Sequence, residues 1–282
     1  MPLVSILNEL RKAQQEQYAI PCFDTFEMMG TQGIIAALEQ KQAPGIIGLY
    51  SGFLDRPNAR ASAALVRTMA EDATVPISLI LDHGKDFEHC MQALHLGFPD
   101  VMYDGSKLPL EDNITNTRAI VRVAHAIGAA VEAELGHVGV GREYQSFGAQ
   151  GKGFTEPEAV EQFVAETGVD FLAVAVGTAH GLYEGEPQLA LDLLEEIRER
   201  VEIPLVLHGG SGLSDEQFRS AIERGISKVN IFTNLAVAAG QGMIEAAQEE
   251  DASFFSIIRA VPAAFQQECE RLLDVFGTSG KA

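Results

Sequence analysis

Eight segments that are apolar at almost every position alternate with helical patterns along most of this 282-residue chain. Such segments predict strands that are buried on both faces, which is typical of parallel sheets. Eight strand–helix repeats within this length favour a closed (β/α)8 TIM barrel, of the α/β class, over an open doubly wound sheet. We expect a single barrel domain over residues 1–282. The predicted strands span residues 19–23, 44–49, 76–81, 101–106, 129–134, 170–176, 204–207 and 227–231.

Two helical patterns lie outside this eightfold repeat. Residues 5–17 carry apolar side chains at helical spacing, with Ser5 as a candidate cap. Because this helix precedes the first strand, we expect it to close the bottom of the barrel. Residues 252–276 predict one or two helices within a C-terminal extension over about 252–282. The glycine-rich stretch 136–153 has little periodicity, which predicts a long loop of the kind that acts as a lid.

The charge and the cysteines argue against several classes of partner. A net charge of −20 disfavours nucleic acid and anionic membrane surfaces, because both would repel the protein. Three well-separated cysteines without a CxxC motif predict buried thiols in a reducing compartment. No run reaches the ~18 apolar residues of a membrane span, and the N-terminal residues lack the pattern of a signal peptide. We expect a cytoplasmic protein that acts on a small molecule.

Three histidines, His83, His180 and His208, lie just past the ends of predicted strands. Because the carboxyl ends of barrel strands meet at one face, the fold would bring these side chains together. Three neutral imidazoles with an open fourth position form a catalytic zinc site. Each histidine alone is more simply read as a satisfied polar residue. Their equivalent positions at three strand ends favour the metal site.

Carboxylates occur at neighbouring strand ends. Asp82 precedes His83 and could act as a general acid or base, although it could instead cap the following helix. Glu132 and Glu134 alternate along strand five and therefore point to the same side. A buried carboxylate must be paired or lie near a metal, so we expect either an orienting role beside the histidines or a structural ion pair. Asp104, at the end of strand four, has the same two interpretations.

The glycine-rich turn after strand seven is a candidate phosphate site. Residues 209–212 read Gly-Gly-Ser-Gly, and Ser214 then caps a predicted helix, so backbone N–H groups face the same space as His208. The loops after strands seven and eight are the usual phosphate site of such barrels. The turn alone would be weak evidence, because turns use the same residues for geometry. Its position beside His208, together with Gly181 and residues 230–233, strengthens the prediction.

Together these motifs resemble the class II aldolases, in the branch that contains the fructose-bisphosphate and tagatose-bisphosphate aldolases. The resemblance covers about residues 1–250. It implies a lyase with one catalytic zinc ion and no lysine Schiff base, and it leaves room for a monovalent cation. Dimers and tetramers are common in the family, so we expect a homodimer or homotetramer. The motifs on which this resemblance rests are Leu81–His83, Val131–Gly136, Ala173–Gly181, Leu205–Leu213 and Lys228–Ile231.

The resemblance also implies a reaction and a role for each matched residue. The reaction is the reversible aldol cleavage of a phosphorylated ketose to dihydroxyacetone phosphate and an aldehyde. His83, His180 and His208 would hold zinc, with Asp82 moving the proton of the acceptor hydroxyl. Glu134 and Asp104 would orient ligands or bind metal alternately, and Glu143 is the nearest match to the family's mobile-loop glutamate, which moves the proton at the donor carbon. The predicted substrate-binding residues are Asp24, Ser51, Gly181, Gly209, Gly210, Ser211, Asn230, Ile231, Phe232 and Thr233.

The chain departs from the family pattern at the acceptor side. Asp24 stands where asparagine is usual, Gly84 replaces a frequent second histidine, and Phe232 replaces aspartate or a small residue. The family's Asp-Pro-Arg motif, whose arginine holds the distal phosphate from a neighbouring subunit, is absent from residues 251–256, with Arg259 nearby. Each lost charge-assisted hydrogen bond would remove roughly 1.5 to 3 kcal/mol.

These departures leave several hypotheses about the substrate and the function. They favour a ketose 1-phosphate, whereas a fructose or tagatose bisphosphate would follow if Arg259 or another basic residue replaced the missing arginine. A non-catalytic sugar-phosphate-binding barrel is an alternative of another class, and it predicts tight binding without turnover. A metal-independent isomerase barrel would leave the three histidines unexplained.

Overall fold

Eight parallel strands close into a barrel in the computed structural model, which describes residues 3–282. Residues 3–282 contain ten strands, eight in the barrel and two in a separate pair: β1 (Ile20–Asp24), β2 (Gly45–Tyr50), β3 (Ile77–Gly84), β4 (Asp100–Tyr103), β5 (Ala130–Leu135), β6 (Gly139–Val140), β7 (Phe171–Val174), β8 (Ala179–His180), β9 (Leu205–Leu207) and β10 (Ile226–Ile231). Around the barrel the order is β1, β10, β9, β7, β5, β4, β3 and β2, while β6 and β8 pair separately. The predicted TIM barrel is confirmed, and every predicted strand overlaps an observed one.

Helices surround the barrel and follow its strands in the βα order that the alternation predicts. They are α1 (Leu7–Glu16), α2 (Met28–Gln40), α3 (Ala59–Glu71), α4 (Phe87–His95), α5 (Leu110–Ala126), α6 (Pro157–Thr167), α7 (Leu191–Arg200), α8 (Asp215–Glu223), α9 (Thr233–Ala246), α10 (Phe254–Ile258) and α11 (Ala260–Val275). Over residues 3–282, none of these helices is both long enough and apolar enough to cross a bilayer.

Helix α1 closes the bottom of the barrel, as its place before the first strand predicts. Ile6 and Leu10 are fully buried and pack into the barrel interior with residues such as Phe171. Ser5 does not cap the helix, contrary to expectation. Its hydroxyl donates to Asp100 Oδ1 at 2.6 Å, and the Ile6 N–H donates to Asp100 Oδ2 at 2.8 Å. A buried carboxylate from the start of β4 thus anchors the N-terminal end of α1.

The segment after β5 is more regular than its glycine content predicts. Strand β6 pairs in parallel with β8, with Val140 opposite His180. Short 3₁₀ turns follow, and the fully buried Tyr144 accepts a hydrogen bond from the Gln188 N–H at 2.7 Å through its hydroxyl oxygen. The long loop is therefore packed against the strand that carries His180.

The C-terminal extension contains α10 and α11, and α11 packs against α2. The two helix backbones approach closely at Gly33 of α2. A Cβ atom added there would lie 2.5 Å from the Pro262 carbonyl oxygen and 2.6 Å from Phe265 Cβ. Only glycine permits this approach, because both neighbours would have to shift for any larger residue.

We expect Gly33→Ala to lower the free energy of unfolding by about 1 to 3 kcal/mol, because the added methyl group forces α2 and α11 apart. Gly240→Ala is the matched control in α9, where an added Cβ meets no atom within 4 Å. There the better helix propensity of alanine should raise stability by up to about 1 kcal/mol. Urea unfolding measures both variants, and stabilisation by Gly33→Ala would contradict the close contact.

Candidate active site

The three histidines of the predicted metal site lie together at the carboxyl-terminal rim of the barrel. His83 belongs to β3, His180 ends β8, and His208 follows β9 directly. His83 Nε2 and His208 Nδ1 are 2.9 Å apart. One ring nitrogen from each of the three histidines can be chosen so that all lie within 4.8 Å of one another. The topology thus brings together residues that are far apart in the chain.

The protonation of His180 and His208 and the free ring nitrogen of His180 fit a metal ion. The buried His180 Nε2 has no hydrogen-bond partner among residues 3–282. Burial, reinforced by His83, lowers the pKa of His180 to about 3 and holds the pKa of His208 well below its ordinary value. Neutral imidazoles with free lone pairs are the form that binds metals. Burial alone would lower the pKa of His83, but Asp82 and other nearby carboxylates raise it to about 10, so these carboxylates favour a positive charge at this one position.

His83 is held in an unusual backbone conformation. Its φ angle is 49°, in the left-handed region that residues with a Cβ atom seldom adopt outside functional sites. Its Nδ1 donates to Asp104 Oδ2 at 2.8 Å. Asp104 in turn accepts hydrogen bonds from the Ser106 N–H at 3.1 Å and the Ser106 hydroxyl at 2.6 Å. These contacts direct His83 Nε2 towards His208.

Glu134 lies close to His83 and His208 but does not line the cavity. Its Oε2 atom is 3.9 Å from His83 Nδ1 and 4.0 Å from His208 Nδ1, and it has no hydrogen-bond partner within residues 3–282. Burial, together with the nearby Asp104, raises the pKa of Glu134 to about 8. His83, Asp104 and Glu134 form a second group with candidate ligand atoms within 4.8 Å of one another. An alternate metal position, as predicted for Asp104 and Glu134, is geometrically available.

A fully buried lysine, Lys228, supports His208 through Glu132. Lys228 Nζ lies 2.8 Å from Glu132 Oε2, and Glu132 Oε1 accepts a hydrogen bond from His208 Nε2 at 2.7 Å. Burial alone would lower the pKa of Lys228, but Glu132 raises it above its ordinary value, so the lysine stays charged. This pair fixes the ring of His208 with Nδ1 towards His83.

Lys228 also reaches Asp82 through Asn230. Its ammonium group donates to Asn230 Oδ1 at 2.5 Å, and Asn230 Nδ2 donates to Asp82 Oδ1 at 2.8 Å. One buried cation is therefore connected to both a candidate metal ligand and a candidate proton carrier. The sequence contains a signal for this: Lys228 and Asn230 are two apart in a strand and must share a face.

A cavity of about 910 Å³ opens above these groups. Five of the predicted residues do not line it: Glu134, Glu143, Ser51, Gly210 and Ile231. The predicted residues that do line it are Asp24, Asp82, His83, Asp104, His180, Gly181, His208, Gly209, Ser211, Asn230, Phe232 and Thr233.

Backbone groups and a helix N-terminus surround one side of the cavity. Gly209 has a φ angle of 67°, and a Cβ atom there would lie 2.5 Å from the Ala179 carbonyl oxygen. Helix α9 begins at Thr233, and the Ser211 hydroxyl accepts from the Asn234 N–H at 3.4 Å. Free N–H groups at a helix N-terminus can bind a phosphate without basic side chains.

The carboxyl group of Asp24 is less readily ionised than the sequence analysis assumes. It is buried at the end of β1, and burial together with Asp82 raises its pKa well above the ordinary value. Gly48 on the neighbouring strand makes room for it, since a Cβ atom there would overlap Asp24 Oδ1. The expected extra charge beside the substrate is therefore weakened by desolvation.

The structure does not bring Glu143 to the cavity. Its side chain is exposed, while the adjacent Tyr144 is buried and holds this part of the loop in place. A different residue of this segment, His137, lines the cavity, and its Nδ1 lies 3.1 Å from the Ser106 hydroxyl. Its position just after β5 was a sequence signal of the same kind as those of His83 and His208.

This fold and site define a barrel enzyme with a candidate three-histidine metal centre and adjacent carboxylates. The family model for class II fructose-bisphosphate aldolase matches residues 4–281, and the chain belongs to this family. It is therefore an aldolase, an aldehyde-lyase. Members of the family are generally zinc-dependent.

Individual relatives cover the whole chain. Fructose-bisphosphate aldolase from Geobacillus stearothermophilus is 38% identical over 287 residues, which span 100% of this chain and 99% of the relative. The D-tagatose-1,6-bisphosphate aldolase subunit GatY from Klebsiella oxytoca is 34% identical over 283 residues and 100% of both chains. The crystal structure of the YdjI aldolase from Escherichia coli K12 superposes with a TM-score of 0.89, at 34% identity, over 99% of both chains. The names of these relatives differ in substrate, so family membership leaves the ketose open.

Proposed function

We propose that this chain is a zinc-dependent aldolase that reversibly cleaves a phosphorylated ketose to dihydroxyacetone phosphate and an aldehyde. The observation that carries this proposal is the convergence of His83, His180 and His208 beside Asp82 at the floor of the cavity. Three imidazoles, one with an unpartnered buried nitrogen, suit zinc as a donor set. When bound there, zinc supplies a Lewis acid that polarises the ketose carbonyl group.

Asp82 acts on the acceptor half of the substrate. It accepts the proton of the ketose hydroxyl that becomes the aldehyde oxygen, while the adjacent carbon–carbon bond breaks and its electron pair moves into the donor half. Return of a proton to the donor carbon completes dihydroxyacetone phosphate. Asn230 holds Asp82 in position through the 2.8 Å hydrogen bond to Oδ1. The other oxygen, Oδ2, stays free to accept the substrate proton.

The donor phosphate binds on the side of the cavity formed by Gly181, Gly209, Ser211 and Thr233. Their backbone N–H groups and the N-terminal end of α9 supply the positive potential that a phosphate requires. Roles for Ser51, Gly210, Ile231 and the other predicted substrate-binding residues remain predictions.

Glu143 is proposed to return the proton to the donor carbon, a role that requires residues 141–146 to leave the position in which the buried Tyr144 holds them. We expect Glu143→Gln to lower kcat by about a hundredfold, with zinc content and KM little changed, because only proton transfer is removed. Glu186→Gln, at another exposed carboxylate outside the cavity, is the control. Steady-state kinetics with zinc analysis tests this. Unchanged kcat in Glu143→Gln would contradict the role and direct attention to His137.

A coupled assay for dihydroxyacetone phosphate release tests the function itself. The substrates are fructose and tagatose bisphosphates and the corresponding 1-phosphates, each measured with and without a chelator. Release that is lost with chelator and restored by zinc is the expected result. Chelator-resistant release, or none from any ketose with zinc present, would contradict the proposal. The preferred substrate distinguishes the 1-phosphate hypothesis from the bisphosphate one.

The setting of the enzyme is also a proposal. We propose a cytoplasmic location, supported by three free and buried cysteines, Cys22, Cys90 and Cys269.

A homodimer or homotetramer is supported by exposed apolar side chains on α9 and α10, among them Ile244, Phe254 and Phe255. Light scattering after size-exclusion chromatography tests the assembly. The monovalent cation stays a prediction.

A further inference from the structure

The two sides of the cavity carry different chemistry. On the side of the proposed donor phosphate site, the loops that follow β8, β9 and β10 contribute glycine, serine and threonine. The loops after β2, β3 and β4 instead contribute Arg56, Lys85 and Lys107. In the closed eight-strand order, β2, β3 and β4 lie directly across from β7, β9 and β10. The three cations therefore face the donor phosphate site across the histidines.

Two of these cations are available to a ligand. Lys85 is neutralised by Asp55, whose carboxylate lies 2.6 Å from Lys85 Nζ. Arg56 and Lys107 form no ion pair within residues 3–282, although the chain has twice as many acidic as basic residues. Three carboxylates also line the cavity: Asp24 ends β1, Asp82 lies near the end of β3, and Asp104 follows β4.

Aromatic rings hold Arg56 in place. Its guanidinium carbon lies 4.2 Å from the Phe53 ring centroid and 5.9 Å from that of Phe26, and the two rings stack at 4.5 Å. An arginine that stacks on an aromatic face keeps its in-plane N–H groups free to donate. Such a pre-ordered guanidinium suits a planar or tetrahedral anion with two acceptor oxygens.

We propose that Arg56 and Lys107 form a subsite for an anionic group at the end of the substrate remote from the donor phosphate. The inference rests on the proposed function and specifies its substrate class. Besides the donor phosphate, the ketose then carries a second anionic group at its distal end, a phosphate (which makes it a bisphosphate), a sulfonate or a carboxylate, and both cations come from this chain. The absence of the family's Asp-Pro-Arg motif therefore does not imply a neutral acceptor.

Condensation with dihydroxyacetone phosphate tests the subsite with four matched aldehydes. Glyceraldehyde, glyceraldehyde 3-phosphate, 3-sulfolactaldehyde and tartronate semialdehyde share three carbons and a 2-hydroxyl group and differ only in the terminal group. For the zinc-loaded protein, kcat/KM with at least one anionic aldehyde should exceed that with glyceraldehyde by about tenfold or more. The anion used best identifies the terminal group. Equal or better use of glyceraldehyde would overturn the proposal.

Removing the charges of Arg56 and Lys107 tests whether these two residues cause the preference for anionic aldehydes. The double variant Arg56→Gln/Lys107→Met should lose about tenfold or more in kcat/KM for the preferred anionic aldehyde and far less for glyceraldehyde. Arg60→Gln is the matched control, an exposed arginine on α3 outside the cavity. Retention of the anionic preference in the double variant would overturn the assignment. If the protein condenses dihydroxyacetone phosphate with none of the four aldehydes, the proposed function is contradicted, and the subsite with it. If it uses the aldehydes but does not prefer an anionic one, only the subsite is contradicted.

Discussion

His208→Ala is expected to abolish stoichiometric zinc binding and to lower kcat/KM for ketose cleavage by at least about a thousandfold. The reason is that zinc polarises the carbonyl, a contribution of several kcal/mol to the transition state, and every 1.36 kcal/mol is about tenfold in rate. His208 is fully buried and is directed at His83 by Glu132, so no solvent-exposed side chain can take its place.

The measurement combines zinc analysis, kinetics and the visible spectrum of the cobalt-substituted protein. The spectrum reports the ligand set independently of activity. His95→Ala, an exposed histidine on α4, is the matched control and should retain zinc, spectrum and turnover. Detectable cleavage by His208→Ala with one zinc still bound would contradict the assignment of this residue as a ligand.

Lys228→Met is expected to lower the free energy of unfolding by about 3 to 5 kcal/mol and to weaken zinc binding by about ten- to a hundredfold. Removing one partner of a buried ion pair leaves Glu132 charged and uncompensated, which accounts for the stability loss. The weaker zinc binding follows because His208 loses the fixed carboxylate that orients its ring. Asp82 loses support at the same time, through Asn230, so kcat should fall as well.

A second variant keeps this prediction testable if the single variant folds poorly. Lys228→Met/Glu132→Gln removes both charges, so most of the stability should return, since a neutral pair of similar volume is tolerated in the interior. Zinc affinity and kcat should remain below those of the unmodified protein. Competition with a chromophoric chelator and urea unfolding measure the two effects. Unchanged zinc affinity in both variants would contradict the positioning role of Lys228.

The barrel was predictable because its determinants are local. Each strand is a short apolar run and each helix has an amphipathic pattern. Both patterns can be recognised without knowledge of the tertiary contacts. Helix α1 could be placed at the bottom for the same reason. Two local details were less predictable: Ser5 donates to Asp100 instead of capping, and Tyr144 packs the glycine-rich loop against its surroundings. Both depend on partners remote in the chain.

The candidate metal cluster could also be predicted from the sequence. His83, His180 and His208 come at the ends of parallel strands, and a closed barrel places such ends at one rim whatever the exact register. Glu143 shows the limit of motif matching. A loop residue has no such constraint, and the structure places this side chain in solvent.

The sequence by itself determined the fold and which histidines converge, because strand patterning is local and barrel closure supplies the remaining geometry. Only the tertiary structure decided which groups pair. Glu132 and Glu134 share a face of β5. Glu132 nevertheless forms an ion pair with Lys228 and a hydrogen bond with His208, whereas Glu134 lies beside His83 and Asp104. Such pairings depend on strand register, rotamers and burial, since desolvation allows a buried charge only beside a specific partner.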